Sequence, residues 1–211
     1  YHDELNKKNV LKLREILETL PSFCRQFFRG IEDTTATRTR IAYAYDVRVF
    51  FEFIHKTNGV CRNMDIVDFP LSILDQIGRE DIEEYMEYLS YYVKDGVEYM
   101  NDERGKKRKL ASLRSFYNYF YRNELISTNP AVLVPLPKLH DKEIVRMEPN
   151  EVAILLDEVE DGSGLTKKEM SYHQKNGTRD LALLTLLLGT GIRVSECVGL
   201  DLNDVDFDNQ R

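Results

Sequence analysis

An arginine three residues ahead of a glutamate, at the end of an apolar run, is the part of this sequence best suited to chemistry. The stretch reads Arg179-Asp180-Leu181-Ala182-Leu183-Leu184-Thr185-Leu186-Leu187-Leu188-Gly189-Thr190-Gly191-Ile192-Arg193-Val194-Ser195-Glu196. An apolar helix, read over Arg179 to Leu188, runs into a Gly-Thr-Gly turn, and Arg193 follows it. A packed core has no use for a guanidinium there. A phosphate-handling site does, because the guanidinium is a permanent cation whose planar donor fork matches phosphate oxygens. Taken alone, Arg193 reads more simply as a surface or cap arginine after a helix turn. The chain ends at Arg211, so the reading expects an active site of which only the first part is present.

A second group of residues suits phosphate by charge alone. Between Arg104 and Arg122 the basic residues are Arg104, Lys106, Lys107, Arg108, Lys109, Arg114 and Arg122, with no acid among them. On a helix, Arg104, Lys107, Arg108, Ala111, Arg114, Asn118 and Arg122 recur every three or four positions, so they share one face. Leu110, Leu113, Tyr117 and Phe120 make a neighbouring core seam. Such a basic stripe can lie along a phosphate backbone or enter the major groove; a solvated helix face is the alternative. Thr37, Arg38, Arg40 and Arg48 offer a further set of phosphate contacts, or plain helix surface.

The bulk properties frame these candidates. The chain has 211 residues, enough for one large or two small domains, and its 42% apolar content rules out a disordered polymer. Its net charge of −7 argues against nucleic acid at face value. The acids gather in Arg79 to Glu87 and Asp141 to Asp161, however, and local charge decides whether a phosphate backbone is attracted. No apolar run is long enough to span a bilayer; the longest, Leu181 to Leu188, reads as a short buried helix. Tyr1-His2-Asp3-Glu4-Leu5 does not begin a secretory signal. Cys24, Cys61 and Cys197 lie far apart, which fits neither a disulfide framework nor a zinc site and favours a reducing cytoplasm. The four histidines form no ligand pattern.

The elements that must position these residues are mostly helices. Glu4 to Leu20 is amphipathic and stops before Pro21. A short turn or helix spans Ser22 to Arg29. Thr34-Thr35 offers an N-cap for a helix to about Ile54, with Tyr43, Val47, Phe50 and Ile54 as its buried stripe. A helix begins near Arg79, within Ile73 to Val93. Gly96 and Asn101-Asp102 punctuate a loop, and the basic helix runs from about Glu103 to Asn123. Asn129-Pro130, Pro135 and Pro137 imply an extended segment, and Lys138 to Met147 reads as a linker. Pro149 starts a new helix. Glu158 to Thr178 reads as a long polar loop with room for a short helix at Thr166 to Tyr172. A short helix follows Arg193, and Asp201 to Gln210 looks like the approach to a strand.

Four stretches, in order, resemble the tyrosine recombinases and phage integrases, especially their Xer-like bacterial group. They are Thr39, Tyr43, Asp46, Val47 and Phe50; Lys109-Leu110-Ala111-Ser112-Leu113-Arg114-Ser115-Phe116-Tyr117 with Asn129-Pro130-Ala131; Glu148-Pro149-Asn150-Glu151-Val152; and Gly189-Thr190-Gly191-Ile192-Arg193-Val194-Ser195-Glu196. The resemblance covers nearly the whole chain. It implies a mainly α fold: a helical core-binding (SAM-like) domain over 1–136, a linker over 137–147, and over 148–211 a truncated, mostly helical portion of an α+β catalytic domain.

The resemblance also implies a reaction. In the family a tyrosine attacks a DNA phosphodiester and forms a 3′-phosphotyrosyl link, while arginines, a lysine and histidines or a tryptophan stabilise the phosphorane-like charge. No metal and no cofactor are required. Arg193 would be the first catalytic arginine and Glu196 its support. Thr37, Arg38, Arg40, Arg104, Lys107, Arg108 and Arg114 would meet the partner, double-stranded DNA. Other recombinase protomers, as a tetramer on DNA, are the second expected partner; a membrane is not expected. The lysine hairpin, the His-x-x-Arg box and the nucleophilic tyrosine have no match in these residues, so the chain alone is expected to be inactive. Two other readings stay open: a non-catalytic DNA-binding protein of the same fold, and a helical protein-interaction module.

Overall fold

The computed structural model describes residues 2–140 and 145–206. Residues 141–144, inside the expected linker, and 207–211, inside the expected strand approach, lie outside the described residues. The chain falls into two compact units, one within 2–140 and the other within 145–206. Both are helical, and the only sheet among the described residues is a two-stranded hairpin, so the fold is mainly α.

In the first unit, α1 (His2–Glu18), α2 (Cys24–Gly30) and α3 (Thr37–Thr57) are followed by the short α4 (Ile73–Gln76), α5 (Arg79–Tyr88), the strands β1 (Tyr91–Lys94) and β2 (Val97–Met100), and α6 (Glu103–Arg122). The core is unusually aromatic. Phe23, Phe27, Phe51, Phe116 and Phe120 meet edge to face, with centroids as close as 5.0 Å for Phe116 and Phe120. Phe50 packs on Tyr85 at 5.2 Å. Such edge contacts add to area burial because a positive ring edge meets a negative face. The expected seam of Leu110, Leu113, Tyr117 and Phe120 on α6 is buried, and so are Val47, Phe50 and Ile54 on α3.

One buried residue on α3 is charged. Asp46 is 2% exposed and lies on the side facing α6. Its carboxylate accepts both Arg108 terminal nitrogens, one at 2.8 Å, the Ser112 hydroxyl at 2.6 Å and the Lys109 ammonium at 3.3 Å. Three residues of α6 thus converge on one acid of α3 and fix how the two helices meet.

Several elements differ from the reading of the sequence. The α3 helix starts at Thr37 after Ala36, not at a Thr34-Thr35 cap, because 31–35 form turns in which the Thr34 hydroxyl reaches back to the Ile31 carbonyl. The loop expected around Gly96 is a hairpin. Asp95 and Gly96 both take positive φ, 52° and 75°, the backbone of a tight two-residue turn that matches the strand twist. Asp102 then caps α6 by accepting from the Gly105 amide at 2.8 Å. The prolines after Asn129 do not leave the chain wholly extended: Pro130–Val132 forms one 3₁₀ turn whose Ala131 is buried.

The second unit departs furthest. Its helices are α7 (Pro149–Asp161), α8 (Lys167–Thr190) and the short α9 (Val194–Val198). Most of the long polar loop expected over Glu158 to Thr178 is helix, and only 162–166 form the tight connection between α7 and α8. Gly162 ends α7 in the left-handed region, and Thr166 with Glu169 caps α8 reciprocally. His173 lies nearly two turns into α8, and its Nε2 is 2.8 Å from the Val159 carbonyl of α7. The polar composition is therefore an amphipathic helix surface. The run Leu181 to Leu188 is not a short buried helix either: it is the last part of α8, with Leu183 and Leu188 exposed. Asp201 leads into a 3₁₀ turn over Leu202–Asp204, and the expected strand approach beyond 206 lies outside the described residues.

Breaking a buried ion network leaves uncompensated charge. Asp46→Ala should lower the unfolding free energy by about 3 kcal/mol, read from the urea midpoint. Adding Lys109→Met and Ser112→Ala in that background should restore part of the loss, because the two more buried partners then disappear, while the half-exposed Arg108 can turn to water. An unchanged midpoint for Asp46→Ala would remove this carboxylate from the forces holding α3 to α6.

Candidate functional site

Arg193 stands between two helices of the second unit. Helix α8 continues through Gly189 and Thr190, so the expected Gly-Thr-Gly turn reduces to one residue. Gly191 leaves the helix at φ +70°, a conformation that costs a residue with a Cβ far more than glycine. The Thr190 hydroxyl donates to the Leu186 carbonyl at 2.5 Å, keeping the last turn closed. Two residues later Arg193 takes the N-cap position of α9 with an extended backbone.

Glu196 holds this arginine twice. One carboxylate oxygen accepts the Arg193 backbone N–H at 2.7 Å, and the other accepts from Nη1 at 2.8 Å. The guanidinium stays 81% exposed, so the contact orients it without burying it. These two donors, the backbone N–H first, hold the Glu196 carboxyl below the usual carboxylate range. The first-turn glutamate also suits the positive end of the short helix.

The first unit carries the basic candidates, and the structure divides them. Arg104 is exposed and Lys107 half-buried, and neither has an acidic partner among the described residues. Arg108 is half-exposed but is bound bidentately by Asp46. Arg114 turns inward: its Nε donates to the Ala131 carbonyl at 3.0 Å and its Nη2 to the Val134 carbonyl, tying α6 to the segment that follows it. The stripe free of acids along the sequence therefore has an acid in space. At the start of α3, Arg38 is exposed, and the Thr37 hydroxyl donates to Asn6 Oδ1 at 2.8 Å. Arg40 is buried, and its Nη1 meets Glu32 at 2.7 Å. Arg48 lies against the Tyr45 ring, 5.0 Å from its centroid, and 3.7 Å from Glu52.

Asp46 is the residue whose role sequence reasoning missed. Its signal was its place: it lies three residues after Tyr43 and four before Phe50, inside the stripe that had to be buried. Among the tyrosines, Tyr85 and Tyr117 are sealed in the core, and burial pushes both phenols well up from their usual range. No group of three or more His, Cys, Asp or Glu residues among the described ones could hold a metal ion. No helix there is long and apolar enough to cross a membrane.

Residues 146–211, which contain Arg193 and Glu196, match the phage integrase family. Most of the chain is similar to tyrosine recombinases, at about 30% identity. Across 97% of its length it is 31% identical to tyrosine recombinase XerC of Caldanaerobacter subterraneus subsp. tengcongensis, covering 53% of that protein. It is 28% identical to tyrosine recombinase XerS of Streptococcus mutans over 93% of this chain and 61% of that one. A 100-residue stretch is 43% identical to XerC of Bacillus subtilis, 47% of this chain and 29% of that protein. The chain spans about half the length of the curated relatives it matches. No solved structure matches it.

The Glu196 clasp has a pH signature. The ionised carboxylate is the form that holds the turn, and its folded-state pKa is depressed. Its contribution is present above the ordinary glutamate range and lost as pH falls through the depressed value. In a two-dimensional NMR titration the Arg193 amide shift should follow the Glu196 carboxyl, with a midpoint below that of an ordinary glutamate. Glu196→Gln should abolish that step. A midpoint in the normal range would mean that the clasp does not persist in solution.

Proposed function

We propose that this chain is the DNA-binding region and the beginning of the catalytic region of a site-specific recombinase. In this reading the core-binding domain spans 1–136, the linker 137–147, and the catalytic part starts at 148. The observation that carries it is Arg193: an exposed guanidinium, set by a left-handed glycine and oriented by Glu196, inside the segment that matches the phage integrase family. A preorganised, exposed cation of this kind suits charge that grows on a phosphate oxygen.

The reaction is strand cleavage through a 3′-phosphotyrosyl intermediate in a protein carrying the complete catalytic region. Arg193 contacts the scissile phosphate and acts on its five-coordinate transition state, and Glu196 supports it. Double-stranded DNA meets the first unit through Arg38 and Thr37 at the start of α3 and through Arg104, Lys107 and the outer edge of Arg108 on α6. Arg40 and Arg114 serve that surface from behind, by fixing the chain around it. Other recombinase protomers join on DNA, and the cytoplasm is the compartment.

Three outcomes test the reading. Arg104→Ala with Lys107→Ala should weaken duplex binding and flatten its dependence on salt by roughly one unit of slope per lost phosphate contact. Arg114→Ala should instead lower the unfolding midpoint. Equal duplex affinity and slope in the parent and the double variant would take α6 out of the interface.

With a nicked suicide substrate, the 211 residues alone should form no covalent adduct; an adduct on any tyrosine here would place the nucleophile in this region. With the catalytic region complete, Arg193→Ala should keep most DNA affinity and lose on the order of a hundredfold or more in cleavage. Arg193→Lys should rescue poorly, because lysine lacks the fork. Near-parental cleavage by the alanine variant would reduce Arg193 to a surface residue.

A further inference from the structure

A second basic feature lies away from α6. Helices α1, α2 and the start of α3 enclose a cleft of about 320 Å³, lined by Arg14, Arg25, Arg29, Arg40, Phe28 and Glu32 among others. Four guanidiniums face one carboxylate there, a formal balance of +3 (four minus one) in a chain whose total is −7. Arg25 and Arg29 are one helical turn apart on α2, so they share a face. Arg14, Arg25 and Arg29 are exposed and have no acidic partner among the described residues.

Arg40 sets this cleft apart from a solvated patch. Its side chain is 9% exposed. Nη1 is held by Glu32 at 2.7 Å, and Nη2 reaches the Thr37 hydroxyl at 3.4 Å. Its Nε–H is buried without an acceptor among the described residues. A buried donor left unpaired is costly, and a charged one more so. Three more cations gathered beside it add mutual repulsion. An anion in the cleft would answer the gathered charge, and one of its oxygens would reach Nε once the side chains that cover that nitrogen move.

We propose that this cleft binds a phosphate group, with Arg40 as its buried anchor and Arg25 and Arg29 as its outer fork. The arginine fork is matched to phosphate oxygens. The volume is on the order of ten water molecules' share of liquid, which admits a phosphate or diphosphate. Two sources carry this chemistry: a free oligophosphate, or a phosphate of a DNA backbone. The site consists of residues outside α6 and stands whether or not α6 meets DNA.

The test titrates inorganic pyrophosphate into the 211-residue chain by calorimetry in a chloride background. Arg25→Ala with Arg29→Ala alters only exposed positions, so it should keep the fold, and it should weaken pyrophosphate binding at least tenfold. Arg40→Lys retains the charge but removes the Nε donor, and should weaken binding severalfold; if that variant does not fold, the α2 pair decides. Duplex binding separates the sources. Loss of roughly two units of salt slope in the α2 double variant, with displacement of DNA by pyrophosphate, assigns the site to backbone phosphate. An unchanged slope alongside lost pyrophosphate binding assigns it to a free oligophosphate. Pyrophosphate binding equally well, or not at all, to the parent and the α2 double variant overturns the proposal. This readout needs no DNA, so its failure is distinct from failure of the recombinase reading.

Discussion

The buried carboxylate of Asp46 is the constraint on which the first unit is built. An acid at 2% exposure is tolerable only if its charge is answered nearby, and the answer comes wholly from α6: Arg108, Lys109 and Ser112. Those donors span little more than one helical turn. They fix both the height of α6 along α3 and its rotation about its own axis. Once that rotation is set, Leu110, Leu113, Tyr117 and Phe120 fall into the aromatic core, and Arg104 and Lys107 are turned away from it. An apolar pair of helices has several nearly equivalent packings. A bidentate arginine on a buried acid narrows them through geometry that a sliding helix cannot keep.

The second unit positions its arginine by local means. Among the described residues α7 and α8 carry no buried side chain and α9 carries Cys197 alone, so no deep core holds Arg193 in place. The placement comes instead from the backbone: a left-handed Gly191 stops α8, an extended Arg193 starts α9, and Glu196 closes the short-range loop between them. All three elements lie within six residues. The half-exposed leucines of α8 leave a broad apolar surface next to this loop, so the loop's geometry does not depend on what packs against it.

Much of this was legible in the sequence, for reasons that differ by element. The basic helix and the apolar stripe of α3 announce themselves because helical periodicity survives in one dimension. Arg193 and Glu196 were visible because their contact is local. The hairpin was missed because its strands are only four residues each, too short for alternation to stand out, although Asp95-Gly96 was its turn signal. The α7–α8 connection was missed because glycines and polar residues at 162–177 read as a loop when one helix face is solvated. The partners of Arg108 and Arg40 were invisible because Asp46 lies 62 positions before Arg108 in the chain, and the Glu32 contact needs a turn whose shape the sequence does not print.

Pairing, more than composition, decides which cations of the first unit can meet a phosphate. Arg108 and Lys109 answer Asp46, Arg114 answers two carbonyls, Arg40 answers Glu32 through Nη1 and keeps only its Nε unpaired, and Lys106 donates to Ser90. What remains around α6 and the start of α3 is Arg38, Arg104, Lys107 and Arg122, all without acidic partners among the described residues. Four such contacts correspond to a salt slope of roughly four units at most. In the proposed DNA-binding role that supplies a sequence-independent hold on a duplex and too little for tight binding alone. Between those charges α6 exposes Ala111 and Asn118, one small and one polar, neither bulky enough to shield the neighbouring cations from an anionic surface.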